Sequence, residues 1–567
     1  MTIPYRTVPQ IDAEITALAN DFPTTCRRLT FSGRQTHEGR TVAYLKIGTA
    51  DGNNRPRVLI TTGIHGRELL PPDAMLNYLR KLLTAYRDDR PISIPAFTDP
   101  VGPITYPSTE LSIGDTRRII EKLDLFVVPL VNPDGRNHDI TLNPLENPDG
   151  SFNPATSGTS WRMNRRPAPA GTDPANILCA GVDLNRNFDI AWNVDEYYTN
   201  PTSHVDLNTA PCISDNYRGP SAGSEPETQN LMELAQTQAI QFSIDIHSAA
   251  GEIFYPWGIE DTQSDDEFKS FDNPLWNHDP AHPDEHPGRD GVEHSGYAEF
   301  FPDSPPMRLR TQHRIIADFM RDAVLAAAGS NEQARSTSRY ETGHSAANLG
   351  GGAQAYPGTL MDWMFARQIR GGAGVPDPIF SFGMEINPPP DSHIGVNFSI
   401  MRPDPVTEYP KAEREISITA HAYLKYIAAW WPPRTGSSTC PCFIATAAFG
   451  SPYHPHVTFL RHLRDQVFPS TPFGFRFIRT LNRFYYSFSP AVAAYLKDHE
   501  SARRLTRVGF LRPLVTLLRL AKKLAMRFRR REAQVGVLVC AVTAILLGIV
   551  FAAGGFITLV LKVLMSQ

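Results

Sequence analysis

The sequence predicts an α/β fold, a sheet with helices on its faces, and three observations carry that reading. Apolar strand-like runs recur at Val58 to Thr62, Leu125 to Leu130, Phe242 to Ile246 and Ile379 to Ile386. Helical patterns alternate with them; one is Pro72 to Tyr86, whose proline is tolerated in a helix's first turn. The chain also has 567 residues, too many for one ordinary domain, and its last part differs in composition from the rest.

Taken in order, residues 1–20 form a short lead and 21–432 the α/β domain. Within it, 140–160, 260–308 and 335–352 are rich in Pro, Gly and Asp and read as surface insertions. The histidines of one of them, His278, His282, His286 and His294, have a spacing that fits no rigid metal site. Glu413 to Trp431 reads as the domain's final helix, and 433–439 as a linker. Then comes Cys440-Pro441-Cys442-Phe443-Ile444, which resembles the Cys-Phe-Ile box of C-terminal modules in diverse bacterial proteins. That module takes in 440–531 and ends in a strongly basic stretch from Arg503 to Arg531. Val535 to Leu561 contains no charged residue and is long enough to cross a bilayer, which makes membrane lipid an expected partner. Met1 to Tyr5 opens no apolar h-region, so no secretory signal is expected. The formal net charge of −4 gives no electrostatic reason to expect a nucleic acid partner.

The chemistry starts at His65-Gly66-Arg67-Glu68, just past the run Val58 to Thr62. A histidine and a glutamate three residues apart after a strand can reach one metal ion. Zinc takes imidazole nitrogen and carboxylate oxygen, and a site of two His and one Glu leaves its fourth position open. His247, which ends the run Phe242 to Ile246, is the candidate third ligand. By itself His-x-x-Glu is short and recurs by chance; the motifs that follow it in order give it weight.

Those motifs are Asn132-Pro133-Asp134-Gly135, Trp161-Arg162, Gly181-Val182-Asp183-Leu184-Asn185-Arg186-Asn187-Phe188, Asp245-Ile246-His247-Ser248, Asp362-Trp363 and Phe380 to Glu385. In this sequence order they resemble the zinc carboxypeptidase family over about residues 20 to 430. The resemblance implies a mixed eight-stranded central sheet flanked by helices, and zinc held by His65, Glu68 and His247. It implies that Asp183 hydrogen-bonds the first histidine, fixing its tautomer. Glu385 would be the general base and then the acid toward the leaving amine, and Arg162 would stabilise the oxyanion. Asn185 and Arg186 would bind the terminal carboxylate of a peptide substrate, where a guanidinium donates two parallel hydrogen bonds. Arg67 would contact the substrate further from the cut. Tyr356 would close over it, although its spacing to Asp362-Trp363 is shorter than usual in the family. Met361 would shape the specificity pocket, and its lack of charge argues against a strict preference for basic terminal residues. The lead is too small for the inhibitory pro-segment some members carry.

Cys179 and Cys212 sit where secreted members carry a disulfide, which would imply an oxidising compartment. The basic flank of the expected span argues the other way and places the domain on the cytoplasmic side. The expected function is a membrane-tethered zinc carboxypeptidase. Two alternatives are an inactive peptide-binding module, disfavoured because all three ligands and the base are filled, and a zinc amidohydrolase acting on cell-wall peptides.

Overall fold

The structure is a computed structural model. It describes residues 5–31, 33–49, 55–99, 104–149, 151, 153, 160–194, 210–248, 250–259, 263–264, 297–298, 309–338, 340–344, 355–370, 379–386, 402–406 and 408–430. Further on it describes 506–525, 533–543 and scattered positions from 445 to 504. The chain divides into two compact units, Met1–Glu299 with Arg310–Ser438, and Phe300–Leu309 with Thr439–Gln567.

The first unit is built on an eight-stranded mixed sheet. Its strands are β1 (Cys26–Thr30), β2 (Ala43–Ile47), β3 (Arg57–Thr62), β4 (Asp124–Val128), β5 (Phe242–Ser248), β6 (Glu252–Tyr255), β7 (Glu341–His344) and β8 (Phe380–Ile386). Their spatial order is β1-β2-β4-β3-β5-β8-β6-β7. The four central strands β4, β3, β5 and β8 run parallel. Every residue of β5 is buried, as is every residue of β4, which is what a strand covered on both faces requires. β4 stops at Val128 because Pro129 cannot donate to the ladder.

The helices follow the expected alternation. They include α1 (Val8–Asp21), α2 (Leu70–Arg87), α3 (Ile113–Lys122), α4 (Pro133–Leu142), α5 (Pro226–Thr237), α6 (Leu360–Arg370) and α7 (Tyr409–Trp430). α2 begins with Pro71 and Pro72 in its first turn and carries a wide apolar face, so it packs against α3 and α7 as well as the sheet. α6 lies on β5 and β8.

Two expectations are revised. Residues 5–21 are not a lead outside the domain: α1 buries Ile11, Ile15 and Leu18 and packs on β1, β2 and α2. Just before it, Arg6 pairs with the buried Asp73 of α2 at 3.0 Å, and Arg136 of α4 closes on the same carboxylate at 2.6 Å. The expected insertion 335–352 contains β7, which extends the sheet beside β6. Its Gly343 and short length hide it from pattern reading. Asn132-Pro133-Asp134-Gly135 forms the N-cap and first turn of α4, after the central strand β4.

In the second unit, α8 (Arg512–Ala525) buries Val515, Leu518 and Ala525, and the last two join a cluster with Leu463, Val467, Phe468, Val535, Leu538, Val539 and Val542. Of the expected span 535–561, residues up to 543 are helical, and 544–561 lie outside the described residues. No described helix is long and apolar enough to cross a membrane. The Cys-Phe-Ile residues 440–444 and the histidines of 278–294 also lie outside the described residues.

His421 gives the fold a pH dependence. It is buried on α7 with Nδ1 3.2 Å from Tyr78 Oη, and burial pushes its imidazole down to about 4. A depressed histidine pKa contributes stability above the ordinary value near 6.5 and loses it as pH falls toward 4. Acidifying from pH 7 to 4 should therefore cost wild type up to ~3 kcal/mol more unfolding free energy than His421→Gln. Denaturant unfolding at both pH values measures this, and equal losses would remove His421 as a cause.

Candidate metal centre

The sheet topology sets the site. β3, β5 and β8 are adjacent and parallel, and their carboxyl ends deliver His65 and Glu68, His247, and Glu385 to one edge. This is where open α/β sheets bind ligands. Across β5 and β8 the register sets Glu385 directly beside His247. Glu385 thus sits on an interior strand, not at an edge.

His65, Glu68 and His247 are buried and their ligating atoms lie within 4.8 Å of one another. His65 Nδ1 is 2.6 Å from Glu68 Oε1, His247 Nδ1 is 3.1 Å from Glu68 Oε2, and the two Nδ1 atoms are 3.3 Å apart. Each ring turns its other nitrogen to a carboxylate. His65 Nε2 lies 3.2 Å from Asp183 Oδ1, and His247 Nε2 lies 2.8 Å from Asp245 Oδ2. A carboxylate that accepts a hydrogen bond from Nε2–H fixes the proton there and leaves Nδ1 as a lone-pair donor. Two lone pairs and a carboxylate then point at one place, and only protons or a cation can hold them there. The donor set of two imidazoles and one carboxylate fits zinc with an open position.

The electrostatics agree. Against a burial penalty, the two imidazoles hold Glu68 well below the usual carboxylate range. Burial opposes a charged His247 too, yet Asp245 and Glu68 hold it well above its ordinary value. Asp183 is buried, but Arg162 and His65 keep it far below the carboxylate range. Without a metal the carboxylates are thus balanced by protons on the imidazoles, and a cation binding at the triad would take the place of those protons.

The cleft over this triad has a volume of about 280 Å³. Arg162, Asn185, Arg186, Tyr356, Met361 and Glu385 all line it, together with Glu252 and Phe254. Arg162 donates from Nε to Asp183 at 2.9 Å. Its neighbours are occupied elsewhere: Arg165 lies over the Trp161 ring, and Arg166 pairs with Glu225. Arg186 lies with its guanidinium carbon 5.0 Å from the centroid of the Tyr356 ring, and its Nη1 donates to the Asn185 carbonyl. The Asn185 side-chain oxygen accepts from Leu360 N–H at 2.9 Å, and its nitrogen is 3.4 Å from His247 Nε2. Arg67 pairs with Asp215 at 2.7 Å and is not part of the cleft lining. Burial pushes Glu385 up to about 8; Glu68 and Glu252 add to the push, while His247 and Arg162 oppose it.

Polar ties and close backbone approaches hold these loops. Asn132 accepts from Gly135 N–H and donates to the carbonyls of Ile64 and Met163, joining three of the sequence motifs. A Cβ at Gly66 would run into the Gly135 backbone and the Trp161 carbonyl oxygen, so only glycine fits. Gly358, with φ +79°, lets the loop after Tyr356 pass against the Arg186 backbone. Cys179 and Cys212 are disulfide-bonded beside the segment that carries Asp183 and Arg186.

Sequence reasoning overlooked two residues. Asp245 lies inside the quoted motif, and its spacing from His247 was the available signal: two residues on one strand share a face. Glu252 lies on a separate strand and carried no motif.

Comparison with known proteins places the chain among zinc carboxypeptidases. The family model described as Zinc carboxypeptidase matches residues 11–394. Carboxypeptidase B of Helicoverpa zea is 25% identical over 264 residues, 46% of this chain and 48% of its own. Carboxypeptidase A4 of Mus musculus is 26% identical over 255 residues, 45% of this chain and 47% of its own. The chain thus spans about half the length of the curated relatives it matches. The crystal structure of the carboxypeptidase A from Helicoverpa armigera is similar at 20% identity and a TM-score of 0.45, covering 74% of each chain.

The triad should hold about one zinc ion per chain. Metal analysis of purified wild type and His247→Ala checks this, with loss expected in the variant. Equal zinc in both would remove His247 from the ligand set.

Proposed function

The chain belongs to the zinc carboxypeptidase family, and from that premise we propose that it is a zinc metallocarboxypeptidase hydrolysing the C-terminal peptide bond of peptides. The observation that carries the proposal is the cleft itself: metal ligands, a half-buried glutamate beside one of them, and arginines from two motifs face one space.

When bound, zinc supplies Lewis acidity to a carbonyl oxygen and acidity to a water molecule. The chain's own residues do the rest. Glu385 takes the proton from the attacking water and returns it to the leaving nitrogen. That role needs an ionised carboxylate, and the push of burial on Glu385 is offset when a dication sits at the neighbouring triad. Arg162, held by Asp183 through Nε, presents a cation to the oxyanion that develops on the attacked carbonyl. Arg186, steadied on the Tyr356 ring, pairs with the substrate's terminal carboxylate. This fixes the cut at the last peptide bond. Asn185, whose amide oxygen accepts from Leu360 N–H, keeps its amide nitrogen in the cleft to donate to the same terminal carboxylate. Arg67, paired with Asp215, acts further out along the peptide.

We also keep the architecture expected beyond the domain: a linker at 433–439, a Cys-Phe-Ile box module at 440–531 and a membrane span at 535–561. Their support is composition, above all the uncharged run of 27 residues from Val535 to Leu561. The Cys179–Cys212 bond favours an oxidising compartment for the catalytic unit, against the cytoplasmic side that the basic flank would choose.

Amidating the substrate's C-terminus tests the reading. A peptide amide should be cut at least ~30-fold more slowly than the free acid, because the Arg186 cation loses its charged partner. Arg186→Ala should lose most of that discrimination. Equal wild-type rates on acid and amide would favour an endopeptidase or amidase.

A further inference from the structure

Met361 lines the cleft without bringing a charge to it. The structure brings a carboxylate from another strand. Glu252, the first residue of β6, lines the cleft and is only 9% exposed. Its cross-strand neighbours are Glu385 on β8 and Glu341 on β7. Both are acids, so neither neutralises it. Among the described residues no hydrogen bond or ion pair reaches its carboxylate; burial, with the Coulombic push of Glu341 added, raises it to about 7.

A nearly buried carboxylate without a counter-ion is costly, and proteins pair such groups or hold them for a ligand. The surroundings fit one ligand shape. Phe254 shares Glu252's face of β6, two residues along. A Cβ at Gly383 would stand 3.7 Å from Phe254 Cβ and 3.9 Å from Met361 Sδ, so these three meet in one apolar wall. An apolar wall leading to a lone carboxylate matches a side chain with a hydrocarbon stem and a cationic end.

We infer that Glu252 is a specificity residue that pairs with the cation of a lysine or arginine flanking the scissile bond. The inference rests on the carboxypeptidase reading, and it adds the substrate's side-chain class to it. Glu252 stands level with Glu385, the base at the scissile bond, so both the terminal and the penultimate side chain are within its range. The same chemistry serves either, and the test separates them.

The test uses the full chain loaded with zinc and two peptide series in one frame. One series places lysine, arginine or norleucine at the terminal residue; the other varies the penultimate residue in the same way. Binding of the matching ketomethylene analogues, which cannot be cleaved, is measured by calorimetry. Wild type should prefer the cationic side chain over norleucine by at least ~10-fold at one of the two positions, in kcat/KM and in Kd. In Glu252→Gln that ratio should fall toward one, and Glu252→Asp should restore part of it. Glu341→Gln, which removes the exposed neighbouring acid, should leave the ratio in place. Equal treatment of lysine and norleucine at both positions overturns the inference, as does a preference that survives Glu252→Gln. If no peptide is cut while the analogues still bind with a lysine preference that needs Glu252, the hydrolytic reading fails and the Glu252 assignment stands.

Discussion

Two imidazole nitrogens and a carboxylate brought to one buried point need a cation, and much of the site follows from that need. Asp183 and Asp245 hold the two rings so that both Nδ1 atoms face Glu68. Arg162 is then needed beside Asp183, and it enters the cleft already anchored. The same Asp183 accepts from the Asn185 N–H, so one carboxylate sets the His65 ring, the Arg162 side chain and the start of the loop that carries Asn185 and Arg186. Removing one of these charges leaves others buried without partners, which costs more than the lost contact itself.

The backbone makes this arrangement repeatable. Three adjacent parallel strands end at one edge, and the loops leaving them approach each other too closely for side chains. Gly66 lies against Gly135 and Trp161, Asn132 ties both loops to Met163, and Gly358 lies against Arg186. Substituting any of these would shift catalytic groups without touching one. The disulfide between Cys179 and Cys212 closes the segment that leads into Asp183.

Much of this was legible in the sequence because chemistry and order coincide there. His65, Glu68, Asp183, Arg162, Arg186, His247 and Glu385 sit in motifs whose order survives folding, and the structure gathers all seven around one cleft or directly behind it. The long apolar runs read as strands because β3, β4, β5 and β8 are buried on both faces and leave little polar alternation to confuse them. What stayed hidden depends on long-range register. β7 is four residues with a glycine, and only its pairing with β6 makes it part of the sheet. The first twenty residues carry no motif, yet Arg6 reaches Asp73 across the domain. Glu252 carries no motif, and only antiparallel pairing sets it beside Glu385.

The central claim is that Glu385 performs the proton transfers at a metal site it does not help to bind. The most direct measurement is single-turnover hydrolysis of a free-acid peptide by zinc-loaded wild type and Glu385→Gln, with zinc content and peptide affinity measured on the same samples. The expected result is equal zinc, comparable affinity and a rate at least ~100-fold lower in the variant, the low end for losing a general acid-base group. A near-normal rate in a zinc-replete variant would contradict the account and move the base to another residue.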